Sequence, residues 1–443
     1  MQKTKAQKSR PRLIQAMVDA FSLPDLRKRI LITIGIVLIF RILAHVPLPG
    51  VDHTKLIEFF GGNNSFGIID VFSGGAFSNF SIVSLGVYPY ITATIIMQLM
   101  TPVIPKLQAL SQEGEAGRNK INLISHYLTI PLAVASTFGT IAVLTAKGVI
   151  PADVAPLTIA TIVICMTAGT LLLVWMGEQI TSYGIGNGIS IIIFAGIVAT
   201  LPSTLGQSFL TVQSGNILPL ILFGVLALAV IILIVIFTEA VRRLPVQYAK
   251  TQIKSGRMYR SGGSTFLPLK VNTAGMIPLI FGMALMNLPT MAASFFVAPD
   301  GATPNFWNHI QTNFSGTSGT AWDALFWGIF AIMVLVAAFV YTRVVFEQQD
   351  LPGNLQRNGG FIPGIRPGKQ TKTYLDGVIG RITWGGATFL AFVAVTPVLI
   401  GFATGVAITL SAFSMLIVVG VALDTMKQIE AQLVMRKYDG FIK

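Results

Sequence analysis

Residues 216–240 read NILPLILFGVLALAVIILIVIFTEA, twenty-five positions with one ionisable side chain, Glu239, near their end. Residues 241–270, VRRLPVQYAKTQIKSGRMYRSGGSTFLPLK, follow directly and carry seven Lys or Arg and no acid. A helical run of the first kind crosses about 30 Å of hydrocarbon at 1.5 Å per residue. Its abrupt passage into a cationic stretch marks a span leaving the bilayer on the cytoplasmic side.

The same pattern recurs along the chain. Over 443 residues, 53% are hydrophobic and only 11% charged, with a mean hydropathy of +0.71; a soluble globular chain carries about 25% charged residues. Ten apolar runs are read as spans, at 29–48, 78–102, 122–145, 154–176, 185–205, 216–240, 272–296, 324–345, 379–400 and 405–427. They lack the alternation of a membrane β-strand, and a helix satisfies its own backbone in lipid. The expected fold class is an all-α polytopic membrane protein.

Placing the N-terminus inside puts 28 of the 31 Lys and Arg residues in the cytoplasm, leaving Arg41, Lys55 and Lys147 elsewhere. Asp52, Glu58, Asp70, Asp153, Asp300 and Asp323 then fall on the outer side. By the positive-inside rule both termini, 1–28 and 428–443, are expected in the cytoplasm. The first run is not expected to be a signal peptide, because no small-residue cleavage site follows it and it ends in the turn Pro47-Leu48-Pro49-Gly50. Cys165, the single cysteine, lies within a span and reads as a small buried apolar residue.

Chemistry is sparsely encoded. His45, His53, His126 and His309 are scattered, without metal-ligand spacing, and Gly184-Ile185-Gly186-Asn187-Gly188 lacks the lysine of a phosphate loop. No catalytic residue, metal or cofactor is expected. An ion-coupled transporter places charges deep in its spans. Here Arg41 is the one clear intramembrane charge, with snorkelling or pairing near an interface an equal alternative.

Three segments carry a family resemblance. Phe72-Ser73-Gly74-Gly75-Ala76, then Gly177-Glu178-Gln179-Ile180-Thr181 leading into Gly184-Ile185-Gly186-Asn187-Gly188-Ile189-Ser190, and Phe361-Ile362-Pro363-Gly364-Ile365-Arg366-Pro367-Gly368 resemble the SecY family of protein-translocation channels. Leu267-Pro268-Leu269-Lys270-Val271-Asn272 extends the match, which runs from the first span to the tenth. The resemblance implies two pseudosymmetric inverted halves, 29–205 and 216–427, joined by an outer hinge loop at 206–215 around an hourglass pore with a plug. It also implies passage of unfolded secretory proteins across the membrane and lateral release of transmembrane segments into lipid. The partners it implies are SecE-like and SecG-like small subunits, the motor ATPase SecA, the ribosome, signal peptides, nascent chains and membrane lipids.

The segment 66–79 is too short to span, and Gly74 and Gly75 break its helical pattern. A re-entrant turn of packing interest only is the plain reading; the resemblance makes the segment the plug, with Phe66, Ile68, Ile69, Val71, Phe72, Ser73, Gly74 and Gly75 in it. A narrow aliphatic neck holds back ions by dewetting. Val87 and Ile91, and Ile189 and Ile193, are each four apart and are expected on one helix face. The resemblance adds Ile280 and Ile417 and makes these six the pore ring, with Val87 smaller than the isoleucine often found there.

Gln98, Ser190 and Asn272 are polar residues in otherwise apolar spans and either tie helices together or, by the resemblance, form a lateral gate. Cytoplasmic loops 241–271 and 343–381 hold thirteen of the 31 cations. Topology and contact with anionic lipid account for a few of these. The resemblance makes Arg242, Arg243, Lys250, Lys254, Arg257, Arg260, Arg366 and Lys369 a docking surface for the ribosome and SecA, with Arg357 and Lys372 beside them. Arg366, between Pro363-Gly364 and Pro367-Gly368, is expected at a loop tip. Glu347-Gln348-Gln349-Asp350-Leu351-Pro352 departs from the Asn-Pro start expected there, so no partner contact is assigned to it.

Overall fold

The structure is a computed structural model. It describes residues 23–49, 73–146, 148–151, 155–212, 218–254, 257–294, 305–313, 321–404 and 412–439, with Phe21, Val51, Thr54, Lys55, Leu56, Asp70 and Phe296 beside them. Its elements in chain order are α1 (Pro24–Leu43), α2 (Tyr88–Val103), α3 (Pro105–Gln112), α4 (Glu115–Ala146), α5 (Pro156–Tyr183), α6 (Gly188–Val212) and α7 (Leu218–Glu239). There follow β1 (Val241–Lys254), β2 (Arg257–Lys270), α8 (Ile277–Ser294), α9 (Phe306–Asn313), α10 (Ala321–Gln349), α11 (Leu351–Arg357), β3 (Gly360–Phe361), α12 (Lys369–Thr404) and α13 (Ala412–Asp439). Prolines open α1, α3, α5 and α11, where a missing N–H costs nothing and the fixed φ suits the first turn.

Every expected span contains a helix. Among the described residues, Glu115–Thr145, Pro156–Tyr183, Trp322–Arg357 and Lys369–Thr396 are long and apolar enough to cross a bilayer outright. Two starts are later than expected. The run 78–102 is helical only from Tyr88, and the residues before it form turns, with Phe80 at φ +44°. Ser78 and Ser84 donate to the carbonyls of Gly75 and Ser81, the local bonding that competes with a helix. The run 272–296 is helical from Ile277, and 271–276 is a bend. The segment 206–215, expected as a loop, remains helical through Val212.

The chain divides into two compact units. One comprises 1–90, 130–203 and 417–443, and the other 91–129 and 204–416. In the first, α1 packs on α5. Leu48, Leu56, Phe80 and Leu85 join Leu144, Ile150, Ile162 and Met166 in a core, with Cys165 packed against it as a free thiol. Backbone bonds from Leu48 N–H to Phe80 O (3.0 Å) and Ile82 N–H to Val46 O (3.2 Å) tie the chain after α1 to the turns before α2.

In the second unit α10 lies along both α8 and α12, and α7 meets α12 with Phe237 stacked on Phe389 at 4.1 Å. The spans are helical, as expected, but loop 241–271 is a β-hairpin. Val241 pairs with Lys270 and the antiparallel register continues to Lys254 against Arg257. β3, from the other basic loop, adds to β1 at Gln247 and Tyr248. Leu244, Val246 and Leu269 of the hairpin bury against Leu355, Ile362, Leu375 and Val378. Alternation explains the faces: Leu244 and Val246 point to this core, while Arg243, Pro245 and Gln247 are exposed.

Candidate functional site

Of the expected plug residues, Phe66, Ile68, Ile69, Val71 and Phe72 lie outside the described residues; Ser73, Gly74 and Gly75 are described. A compact hydrogen-bonded knot surrounds them. The Asp70 carboxylate accepts the Ser78 N–H at 2.8 Å, the Ser73 hydroxyl donates to Asp70 O at 3.0 Å, and Phe77 N–H donates to Ser73 Oγ at 3.0 Å. Burial pushes the Asp70 carboxyl above its ordinary value, and the Ser78, Phe77 and Ser73 donors partly oppose that.

Gly74 explains why glycine stands there. Its φ is +69°, and a Cβ on it would meet Gly196 Cα of α6 at 2.5 Å. A side chain is therefore excluded by backbone conformation and by the neighbouring helix together. The Arg41 guanidinium, from the last turn of α1, donates to Gly74 O. Sequence reasoning isolated Arg41 as an intramembrane charge, but not its partner 33 residues away.

The Gly177…Gly188 motif closes a second tight junction. A Cβ on Gly188 would lie 1.8 Å from Gly177 O, so α5 and α6 touch backbone to backbone. Three hydroxyl or amide oxygens satisfy the turn: Thr33 Oγ1 accepts Ile185 N–H at 3.2 Å, Thr181 Oγ1 accepts Gly188 N–H at 2.9 Å, and Asn187 Oδ1 caps α6 at Ser190 N–H, 3.1 Å.

Ile189 and Ile193 do share one face of α6. Val87 does not share a helix with Ile91, since it is the last turn residue before α2 begins. Val87, Ile193, Ile280 and Ile417 are buried, and Ile91 and Ile189 are half-buried. Val87, Ile189, Ile193 and Ile417 belong to the first compact unit, Ile91 and Ile280 to the second.

Within the second unit, Gln98 of α2 lines a small apolar cavity of about 20 Å³ with Ile277, Pro278 and Phe281 of α8. Asn272 stands in the bend ahead of α8 rather than inside a helix. It is 7% exposed and its Oδ1 has no hydrogen-bond partner among the described residues. The bend is pressed on α12, where a Cβ on Gly386 would meet Val271 O at 2.6 Å. Ser190 is half-buried in the first turn of α6, in the first unit.

On the basic loops, Arg242 and Arg243 are exposed at the base of β1. Lys250 and Lys254 lie on β1, and Arg257 and Arg260 on β2, farther along the hairpin, which extends for about 45 Å of strand. Arg366 and Lys369 are exposed. The Arg366 turn is fixed at both ends: Ile365 N–H donates to Ile362 O at 3.0 Å, and Thr371 Oγ1 donates to Arg366 O at 2.9 Å. Ile362 itself is buried in the hairpin core, so the turn is anchored. Arg357 is engaged elsewhere, at 3.0 Å from the Asp350 carboxylate. Asp350 also caps α11 through Gly353 N–H at 3.2 Å, which gives the departing Glu347–Pro352 stretch a local structural role. An Asp two positions before a proline was the sequence signal for that cap.

The SecY family model matches residues 81–426. A protein translocase subunit SecY from Streptomyces lividans is 40% identical over 450 residues, covering 97% of this chain and 100% of that one. Among solved structures, a SecY protein whose plug domain stabilises the closed state of its channel aligns with TM-score 0.64 at 17% identity, covering 94% of this chain and 97% of the other. The canine Sec61 of a ribosome–channel complex aligns with TM-score 0.60 at 18% identity over the same shares. At those identities the two structures speak for the fold.

Proposed function

The chain belongs to the SecY family, and from that membership we propose that it is the protein-conducting subunit of a bacterial translocase, a multi-pass membrane channel and not an enzyme. It passes unfolded secretory chains across the plasma membrane and releases apolar segments sideways into lipid. The observation that carries this reading is the described part of the 66–79 segment, which is too short to span, is knotted by the Asp70, Ser73, Phe77 and Ser78 hydrogen bonds, and is seated on α6 through Gly74. A wide conduit at rest needs such an element, because an open path would leak ions.

The six aliphatic side chains Val87, Ile91, Ile189, Ile193, Ile280 and Ile417 form the neck, and Gln98, Ser190 and Asn272 set the ease of lateral opening. Small SecE-like and SecG-like subunits accompany the chain, both termini face the cytoplasm, and SecA or a translating ribosome supplies the drive. The basic hairpin and the Arg366 turn receive that driver, because arginine pairs bidentately with phosphate and carboxylate. The test is reconstitution of the chain, with the subunits that copurify with it, into phospholipid vesicles. ATP-dependent movement of a secretory precursor to a protease-protected lumen, lost on omission of SecA, is the expected result. Protection that never rises above empty vesicles would sink the reading.

A further inference from the structure

A guanidinium inside an apolar span is expensive unless its donors are used, and the ordinary escape near a helix end is to reach for the headgroups. Arg41 does not take it. Its Nη1 turns to the backbone carbonyl of Gly74, a residue that is itself buried. Gly74 is held from two sides at once. A Cβ at that position would lie 3.1 Å from Arg41 Nη1 and 2.5 Å from Gly196 Cα, so α1 and α6 pinch the same peptide. The flanking side chains complete the seat, with Ser73, Ala76 and Phe77 all buried. The position of Arg41 in the last turn of α1 also suits a cation, which the helix dipole favours there.

We infer that Arg41 is a positioning residue of the channel, a latch that holds the 73–79 part of the 66–79 segment in its resting place through the carbonyl of Gly74. The inference rests on reading that segment as the plug. With a backbone acceptor, the latch depends on the segment's side chains through the close approach that Gly74 and Gly196 allow. A hydrogen bond to a charged donor shifts such an equilibrium by about 10- to 100-fold. Displacing the segment must break it.

The test uses the full chain with its copurifying membrane subunits in phospholipid vesicles, without precursor, and reads resting ion leak and amide exchange over 73–80. Arg41→Met should speed that exchange about 10- to 100-fold and raise the leak. Arg41→Lys, which keeps a cationic donor, should restore most of the protection. Gly196→Val, with Arg41 intact, should loosen the same amides by pushing the carbonyl out of reach. If Arg41→Met does not assemble, Arg41→Gln, whose shorter and neutral amide should recover only part of the protection, is read instead, and exchange as slow as the parent's overturns the latch. Deletion of 66–79 separates the two ideas. A deletion that leaves the leak unchanged removes the plug reading, whereas a leaky deletion beside a tight, slowly exchanging Arg41→Met removes the latch alone.

Discussion

Tyr248 of β1 is the antiparallel partner of Gly360 of β3, and a Cβ on Gly360 would meet Tyr248 Cε1 at 2.9 Å. The two basic loops, more than a hundred residues apart in the chain, are therefore one sheet over one small core. A driver that docks on one loop loads the other.

Arg366 and Gly360 should consequently fail together. Arg366→Glu reverses an exposed charge on an anchored turn and should weaken ribosome binding about tenfold or more, with a flatter salt dependence. Gly360→Val removes no charge but forces β3 from Tyr248, and should weaken binding through loss of the platform with the salt dependence unchanged. Equilibrium binding of ribosomes across a salt series checks both, and undiminished binding of Arg366→Glu would count against the docking assignment.

How much of this was legible in the sequence depends on the range of the interaction. The spans were, because a bilayer imposes a length and a composition on each run separately. The hairpin was not, since pairing Val241 with Lys270 and Gln247 with Phe361 is non-local, and cationic loops of this composition carry a weak strand signal. The Val87–Ile91 spacing misled because local serine bonding delays α2 to Tyr88. Arg41 was visible as an anomaly while its partner, a backbone carbonyl, leaves no mark in the sequence at all.

Asn272 gives the gate prediction a sign. Its buried Oδ1 has no partner among the described residues, and such an orphan costs about 1–3 kcal/mol in this conformation. Asn272→Leu should relieve that cost and make opening harder, so export of weakly hydrophobic signal sequences should fall while strong ones pass. A graded set of signal sequences in an export assay reads the shift, and an unchanged threshold would remove Asn272 from the gate.

Asp70 should make the seating of the proposed plug segment pH-dependent. Burial raises its carboxyl above the ordinary value, so the seated segment holds a proton more tightly than the displaced one. Its contribution to seating is therefore fully present below the ordinary carboxylate value and is lost as pH rises through the raised one. Arg41, bonded to the same segment, stays charged throughout. Amide exchange over 73–80 should quicken as pH climbs through that window, after correction for intrinsic exchange. Asp70→Asn should flatten the dependence; a slope that survives it would place the titrating group elsewhere.

Ile280 and Ile417 test the neck. They are 5% and 0% exposed. An amide placed at either site without a partner costs about 1–3 kcal/mol on mutational scales, and it is relieved most readily by admitting water. Ile280→Asn and Ile417→Asn should therefore raise resting ion leak and relax the demand on signal hydrophobicity. Ile280→Leu and Ile417→Leu keep the volume and should stay close to the parent. The pairing of leak with relaxed selection is the discriminating feature, because a merely destabilised protein loses export as well. An asparagine variant that exports normally and remains as tight as its leucine counterpart would show that these two residues pack the helices without sealing the path.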